Sequence, residues 1–101
     1  WRPIRIQGAD IMRILTLGEI RRIGIEVYST LGNDFDIDSA EYEVVDSRQE
    51  AIASGEPRIE DKKITMLFNT LEFGPGRFYL NIKYDIMDET LKARIQVKVV
   101  E

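Results

Sequence analysis

Arg77–Phe78–Tyr79–Leu80–Asn81–Ile82–Lys83–Tyr84 and Leu91–Lys92–Ala93–Arg94–Ile95–Gln96–Val97–Lys98–Val99 decide how this chain folds. In the first stretch Phe78, Leu80, Ile82 and Tyr84 alternate with Arg77, Tyr79, Asn81 and Lys83. In the second, Leu91, Ala93, Ile95, Val97 and Val99 alternate with Lys92, Arg94, Gln96 and Lys98. Successive side chains of a strand point to opposite faces, so each stretch presents one apolar and one polar face. That is the pattern of a strand packed on a core from one side only. Met87–Asp88–Glu89–Thr90, short and polar, closes a hairpin between them.

The same period of two runs back along the chain. Ile64, Met66 and Phe68 alternate with Thr65, Leu67 and Asn69; Ala40, Tyr42 and Val44 with Glu41, Glu43 and Val45; Ile23, Ile25 and Val27 with Arg22, Gly24 and Glu26. Shorter strands are expected at Ala51–Ser54 and, after Pro57, at Arg58–Glu60; proline lacks a ladder donor and belongs at a strand start or edge. Ile4 and Ile6 make a short first strand. Ile11–Leu17 comes next, with its inward face left open by the sequence. Turns fall at Leu31–Asp34, Asp46–Gln49, Ser54–Gly55, Asp61–Lys62 and Phe73–Gly76. Helix is the weaker alternative, confined to a turn or two within Ser47–Ala53. Short strands at this spacing predict an all-β fold, an antiparallel two-sheet Ig-like β-sandwich of about 7–9 strands. The antibody hallmarks are missing, since the chain has no cysteine and its one tryptophan is Trp1.

At 101 residues the chain is expected to form a single domain over 1–101. It opens at Trp1 without an initiator methionine, which points to a piece excised from a longer polypeptide. With neither histidine nor cysteine, histidine-based nucleophile pairs, cysteine nucleophiles and zinc sites with nitrogen or sulfur ligands are excluded. A net charge of −4 argues against a general nucleic-acid binder. No apolar run approaches the roughly 20 residues of a membrane helix. Neither a P-loop, a dinucleotide fingerprint nor a G-x-S-x-G elbow occurs, so no enzyme activity and no cofactor are expected.

One region carries a more specific pattern. Ile25–Glu26–Val27–Tyr28 is followed by Leu31–Gly32–Asn33–Asp34–Phe35–Asp36–Ile37–Asp38–Ser39–Ala40 and then Tyr42–Glu43–Val44–Val45–Asp46. Ala53–Ser54–Gly55–Glu56, the strand Ile64–Phe68 and Phe73–Gly74–Pro75–Gly76–Arg77–Phe78–Tyr79–Leu80 complete it. This resembles the Ig-like domains of phage and prophage tail and baseplate proteins, among them the N-terminal domain of the baseplate upper protein. The resemblance covers residues 19–100. The bend departs from the family pattern, with Ser29–Thr30 in place of its acidic start and Asp38–Ser39 where the family has Thr–Gly. The resemblance implies a structural module whose partners are other protein subunits of an assembly, in a virion or at a bacterial surface. A carbohydrate-binding or adhesion module of a secreted or surface protein is the alternative, with a glycan as partner.

Candidate sites are few. Asp34, Asp36 and Asp38 invite a calcium reading, but counting twelve positions from Asp34 places Ser39 and Val45 where an EF-hand loop has its glycine and its bidentate glutamate. A looser cation site is the sharper reading and a solvated acidic bend the plainer one. Charge is unevenly spread: residues 33–61 hold ten acidic and two basic side chains, the rest of the chain eight and twelve. With 40–46 beside 77–86 and 77–86 beside 91–100, Glu41 and Glu43 share an outer face with Lys83, Lys92 and Arg94, as cross-strand pairs. Lys92, Arg94 and Lys98 would also protect an edge. Interaction candidates are Tyr79, which faces outward if Phe78 faces in, and Ile86 and Met87 at the hairpin tip, read either as an exposed contact or as a plug over the core.

Overall fold

The structure is a computed structural model that describes residues 4–7, 12–29 and 35–101, with backbone alone at 4–7 and 28–29. Among these residues the order is β1 (Ile4–Gln7), β2 (Met12–Thr16), β3 (Ile20–Ser29), β4 (Ser39–Asp46), β5 (Ala51–Gly55), β6 (Arg58–Glu60), β7 (Lys63–Asn69), α1 (Thr70–Phe73), β8 (Gly76–Ile86) and β9 (Glu89–Val100). They form two sheets, β1-β3-β7-β6 and β2-β9-β8-β4-β5. In immunoglobulin letters these are A-B-E-D and A′-G-F-C-C′, an all-β Ig-like sandwich whose first strand is divided between the sheets. Every described pairing is antiparallel except β2 with β9, which is parallel.

The alternation read from the sequence sets the register. β8 and β9 pair along their whole length, from Gly76 opposite Val99 to Ile86 opposite Glu89. Phe78, Leu80, Ile82, Tyr84 and Ile86 face inward from β8, with Ala93, Ile95, Val97 and Val99 from β9. Ile23, Ile25 and Val27 of β3 and Ile64, Met66 and Phe68 of β7 meet them from the other sheet. Each Val, Leu, Ile, Phe or Met among them contributes roughly 1.5–3 kcal/mol by leaving water. Phe35 and Ile37, ahead of β4, close one end of this core, and Phe68, Phe73 and Phe78 form a ring cluster at the other, with centroids 4.8–6.1 Å apart. Gly24 is required where β3 meets β7: a Cβ there would fall on the Ile64 carbonyl oxygen and 2.7 Å from Thr65 Cα.

Several expectations need correction. Leu15 is the inward residue of β2, which settles the face left open by the sequence for the described part of that stretch, 12–17. The helical alternative at 47–53 fails, because Asp46 closes a tight turn: its carboxylate accepts from the backbone N–H groups of Arg48 and Glu50, and β5 starts at Ala51. The helix lies instead at Thr70–Phe73, capped by the Asn69 side chain and ended by Gly74 at φ 80°. The β8–β9 turn is two residues, Met87 and Asp88, so β9 begins earlier than expected. Lys98 guards no edge, because β2 pairs with the Gln96–Val100 half of β9.

Candidate interaction surface

The hairpin tip separates its two candidate residues. Ile86 is fully buried and belongs to the core, so as an exposed contact it is ruled out and the plug reading applies. Met87 is 65% exposed and takes φ 57°, a left-handed conformation unusual for a residue with a Cβ. Its N–H donates to the Asp38 carboxylate over 3.0 Å, while the Asp38 N–H donates to the Asp85 carbonyl. Asp38 is thus a tie between the acidic bend and the hairpin. Asp36 is exposed between buried Phe35 and Ile37, and Asp34 lies outside the described residues. Among the described residues, no three His, Cys, Asp or Glu side chains gather at metal-holding spacing.

Asp85 makes a second tie at the same end. It accepts from Ser39 and Thr90, both over 2.7 Å. These hydrogen bonds, Thr90 first, hold its carboxyl below the usual value, helped by the charge of Lys83. Beneath it, Tyr84 is buried with its hydroxyl unpartnered, and burial pushes that hydroxyl up to about 12.

A further surface is the outer face of the five-stranded sheet. Strand pairing places Glu41, Lys83 and Lys92 in one row and Glu43, Asn81 and Arg94 in the next. A third row runs from Met12 through Gln96 and Tyr79 to Val45. The first two rows line a shallow trough of about 540 Å³. Lys83 pairs with Glu41 at 3.5 Å, an exposed bridge worth at most about 1 kcal/mol. Arg94 donates from Nε to Asn81 over 2.8 Å and lies over the Tyr79 ring, 4.9 Å from its centroid. Tyr79 does face outward, but as a stacked neighbour of Arg94. Val45 is the surprise: it points away from the main core yet is only 3% exposed. The sequence expectation that Glu41 and Glu43 share a face with Lys83, Lys92 and Arg94 holds; the Arg94–Tyr79 stack and the burial of Val45 had no counterpart in it. A period of two assigns a side, and says nothing of which long side chain folds over which neighbour.

Neither a family model nor a curated protein matches this chain. Solved structures do. An engineered protein known from a crystal structure superposes with a TM-score of 0.69 at 12% identity, over 98% of this chain and 20% of the other. An endo-β-1,4-mannanase from Thermotoga petrophila superposes with a TM-score of 0.60, also at 12% identity, over 88% of this chain and 18% of the enzyme. The chain thus spans about a fifth of either protein, and at this identity the likeness concerns the fold alone.

Proposed function

We propose that this chain is a non-enzymatic Ig-like module that joins or spaces protein subunits, in a phage or prophage tail or baseplate. The particle setting comes from the sequence resemblance. The module reading is carried by one observation: a continuous apolar core joins the two sheets, while polar side chains of the five-stranded sheet pair with one another on its outer face. The direction of the strands supports it. β1 begins at the end where β8 turns into β9, and β9 finishes at the opposite end, so the polypeptide crosses a sandwich 44 Å long.

The glycan reading draws on the same trough, whose carboxylates, ammonium groups and Asn81 amide could bond sugar hydroxyls. Among the described residues, the outward tyrosine of this face, Tyr79, lies under Arg94, while Tyr42 packs on the core and Tyr84 is inside. We therefore place protein contact first.

Light scattering on this chain and on the whole native polypeptide tests the proposal. A defined multimer of the native polypeptide, altered when this domain is deleted, is the expected result. A monomeric native polypeptide would overturn it.

A further inference from the structure

We infer that the outer face of the β2-β9-β8-β4-β5 sheet pairs with the same face of a second copy of this chain. The inference rests on the module reading above and names the partner for it. The argument begins with how charge is sorted. On the β8–β9 side the exposed groups are the cations Lys83, Lys92 and Arg94; on the β4–β5 side they are the carboxylates Glu41 and Glu43, with exposed Glu56 following directly after β5. Lys92 stands directly opposite Lys83, a like-charge pair that disfavours the sheet unless another charge offsets it. Glu41 does this for Lys83. Lys92 and Glu43 have no ion pair or hydrogen bond among the described residues, so each half of the face is left with charge to offer.

A partner that satisfies both halves must carry acid opposite the bases and base opposite the acids. A polyanion meets only one half and is repelled by the other. A second copy meets both when the two-fold axis runs parallel to the strands, between β8 and β4. That rotation carries each copy's basic half over the other's acidic half, an isologous contact. It also lays the third row over itself, with the Arg94–Tyr79 stack of one copy above the β4 side of the other. The trough gives room to the long Lys, Arg and Glu side chains of both copies. Five strands about 4.8 Å apart and some 20 Å long give roughly 1,000 Å² for the two faces together, the lower limit for a specific interface. The pairing is therefore weak, reversible and dependent on salt.

The test is sedimentation equilibrium on the chain over a loading series reaching millimolar concentration. The wild type is expected to follow a monomer–dimer equilibrium, with Kd rising by about tenfold or more from low salt to roughly 0.5 M. Two charge-reversed variants then locate the surface: one carries Lys92→Glu and Arg94→Glu, the other Glu43→Lys and Glu56→Lys. All four positions are exposed, and thermal melts followed by circular dichroism establish that both variants fold. Each variant alone is expected to be monomeric, and their equimolar mixture to form a heterodimer, because both halves of the contact are then complementary. A wild type monomeric at millimolar concentration overturns the inference. So does a mixture that stays monomeric, or a single variant that still dimerises. In these cases a multimeric native polypeptide would leave the module reading standing.

Discussion

The two ends of the sandwich are closed by different chemistry. Where β8 turns into β9, exposed carboxylates do the tying: Asp38 holds the Met87 N–H, and Asp85 holds the hydroxyls of Ser39 and Thr90. At the opposite end the tie is one buried hydroxyl. Thr70 donates its Oγ1 proton to the Glu19 carbonyl over 2.7 Å and accepts from the Gly18 N–H over 2.9 Å, with no exposure to solvent. Its backbone N–H donates to the same Glu19 carbonyl. Glu19 adds a carboxylate at the surface, accepting from the Thr16 N–H; that bond first, then Arg21, lowers its pKa. The Thr70 tie carries no titrating group, whereas the Asp85 tie loses its charge in acid. The sandwich thus has one end whose closure is conditional on pH and one whose closure is less so.

The largest effect that can break this contrast is at the buried end. Thr70→Val keeps the shape and removes the hydroxyl, leaving the Gly18 N–H without its acceptor. A loss of about 1–3 kcal/mol is expected. Urea unfolding should show this loss at neutral pH and nearly the same loss in mild acid. If the loss vanishes in acid, Glu19 and not Thr70 closes that end.

Next comes Tyr84, under the hairpin end. Its buried hydroxyl has no partner, so Tyr84→Phe should leave stability at neutral pH unchanged or raise it by up to about 1 kcal/mol. The raised pKa also fixes a sign. Above pH 10 the unfolded tyrosine ionises, while the native one stays neutral up to about 12. The unfolded state then binds fewer protons, and stability falls as pH rises through that window. Melts from pH 9 to 12 should show a part of the alkaline loss that Tyr84→Phe removes. An unchanged alkaline limb would mean that the hydroxyl finds a partner in solution.

Asp85 carries the opposite sign. Its native carboxyl is held below the ordinary value of 3.8, so its contribution is complete above that pH and is lost as pH falls through the lower native value. Asp85→Asn keeps an acceptor for one hydroxyl and cannot titrate. Urea midpoints from pH 6 down to 2 should therefore fall less steeply in the variant than in the wild type below 3.8. Parallel curves would show that the hairpin end is not closed by charge.

Why the sequence discloses one part of this and not another is a matter of range. A period of two fixes sides, so β3, β4, β7, β8 and β9 and their inward residues were legible in Ile23–Val27, Val44, Ile64–Phe68 and the closing hairpin. The sorting of charge on the outer face was legible too, once 40–46 was set beside 77–86. The end closures were not. Thr70 lies 51 residues from its acceptor Glu19, and Asp38 lies 49 from Met87. Nothing local distinguishes a threonine that will be buried from one that will be solvated. Ile86 and Met87 were indistinguishable for a related reason: adjacent apolar residues at a turn differ only in where the turn places them, and a two-residue turn put the strand boundary between them.

The smallest effect bears on that boundary. Met87 accepts a left-handed backbone, where asparagine is much better tolerated, and its side chain is largely in water. Nothing in the isolated fold requires a thioether there. Met87→Asn should therefore raise stability by about 0.5 kcal/mol, with the Asp38 bond kept because it uses the backbone N–H. Urea unfolding of the chain reads this directly. If stability falls instead, the thioether is packing on the hairpin, and Met87 belongs with Ile86 as a cover for the core. If stability rises while the native polypeptide's multimer weakens, the tip is a contact, held in a strained conformation because a neighbour uses it. The same substitution thereby decides whether the carboxylate-tied end only closes the core or also presents an apolar group to the assembly.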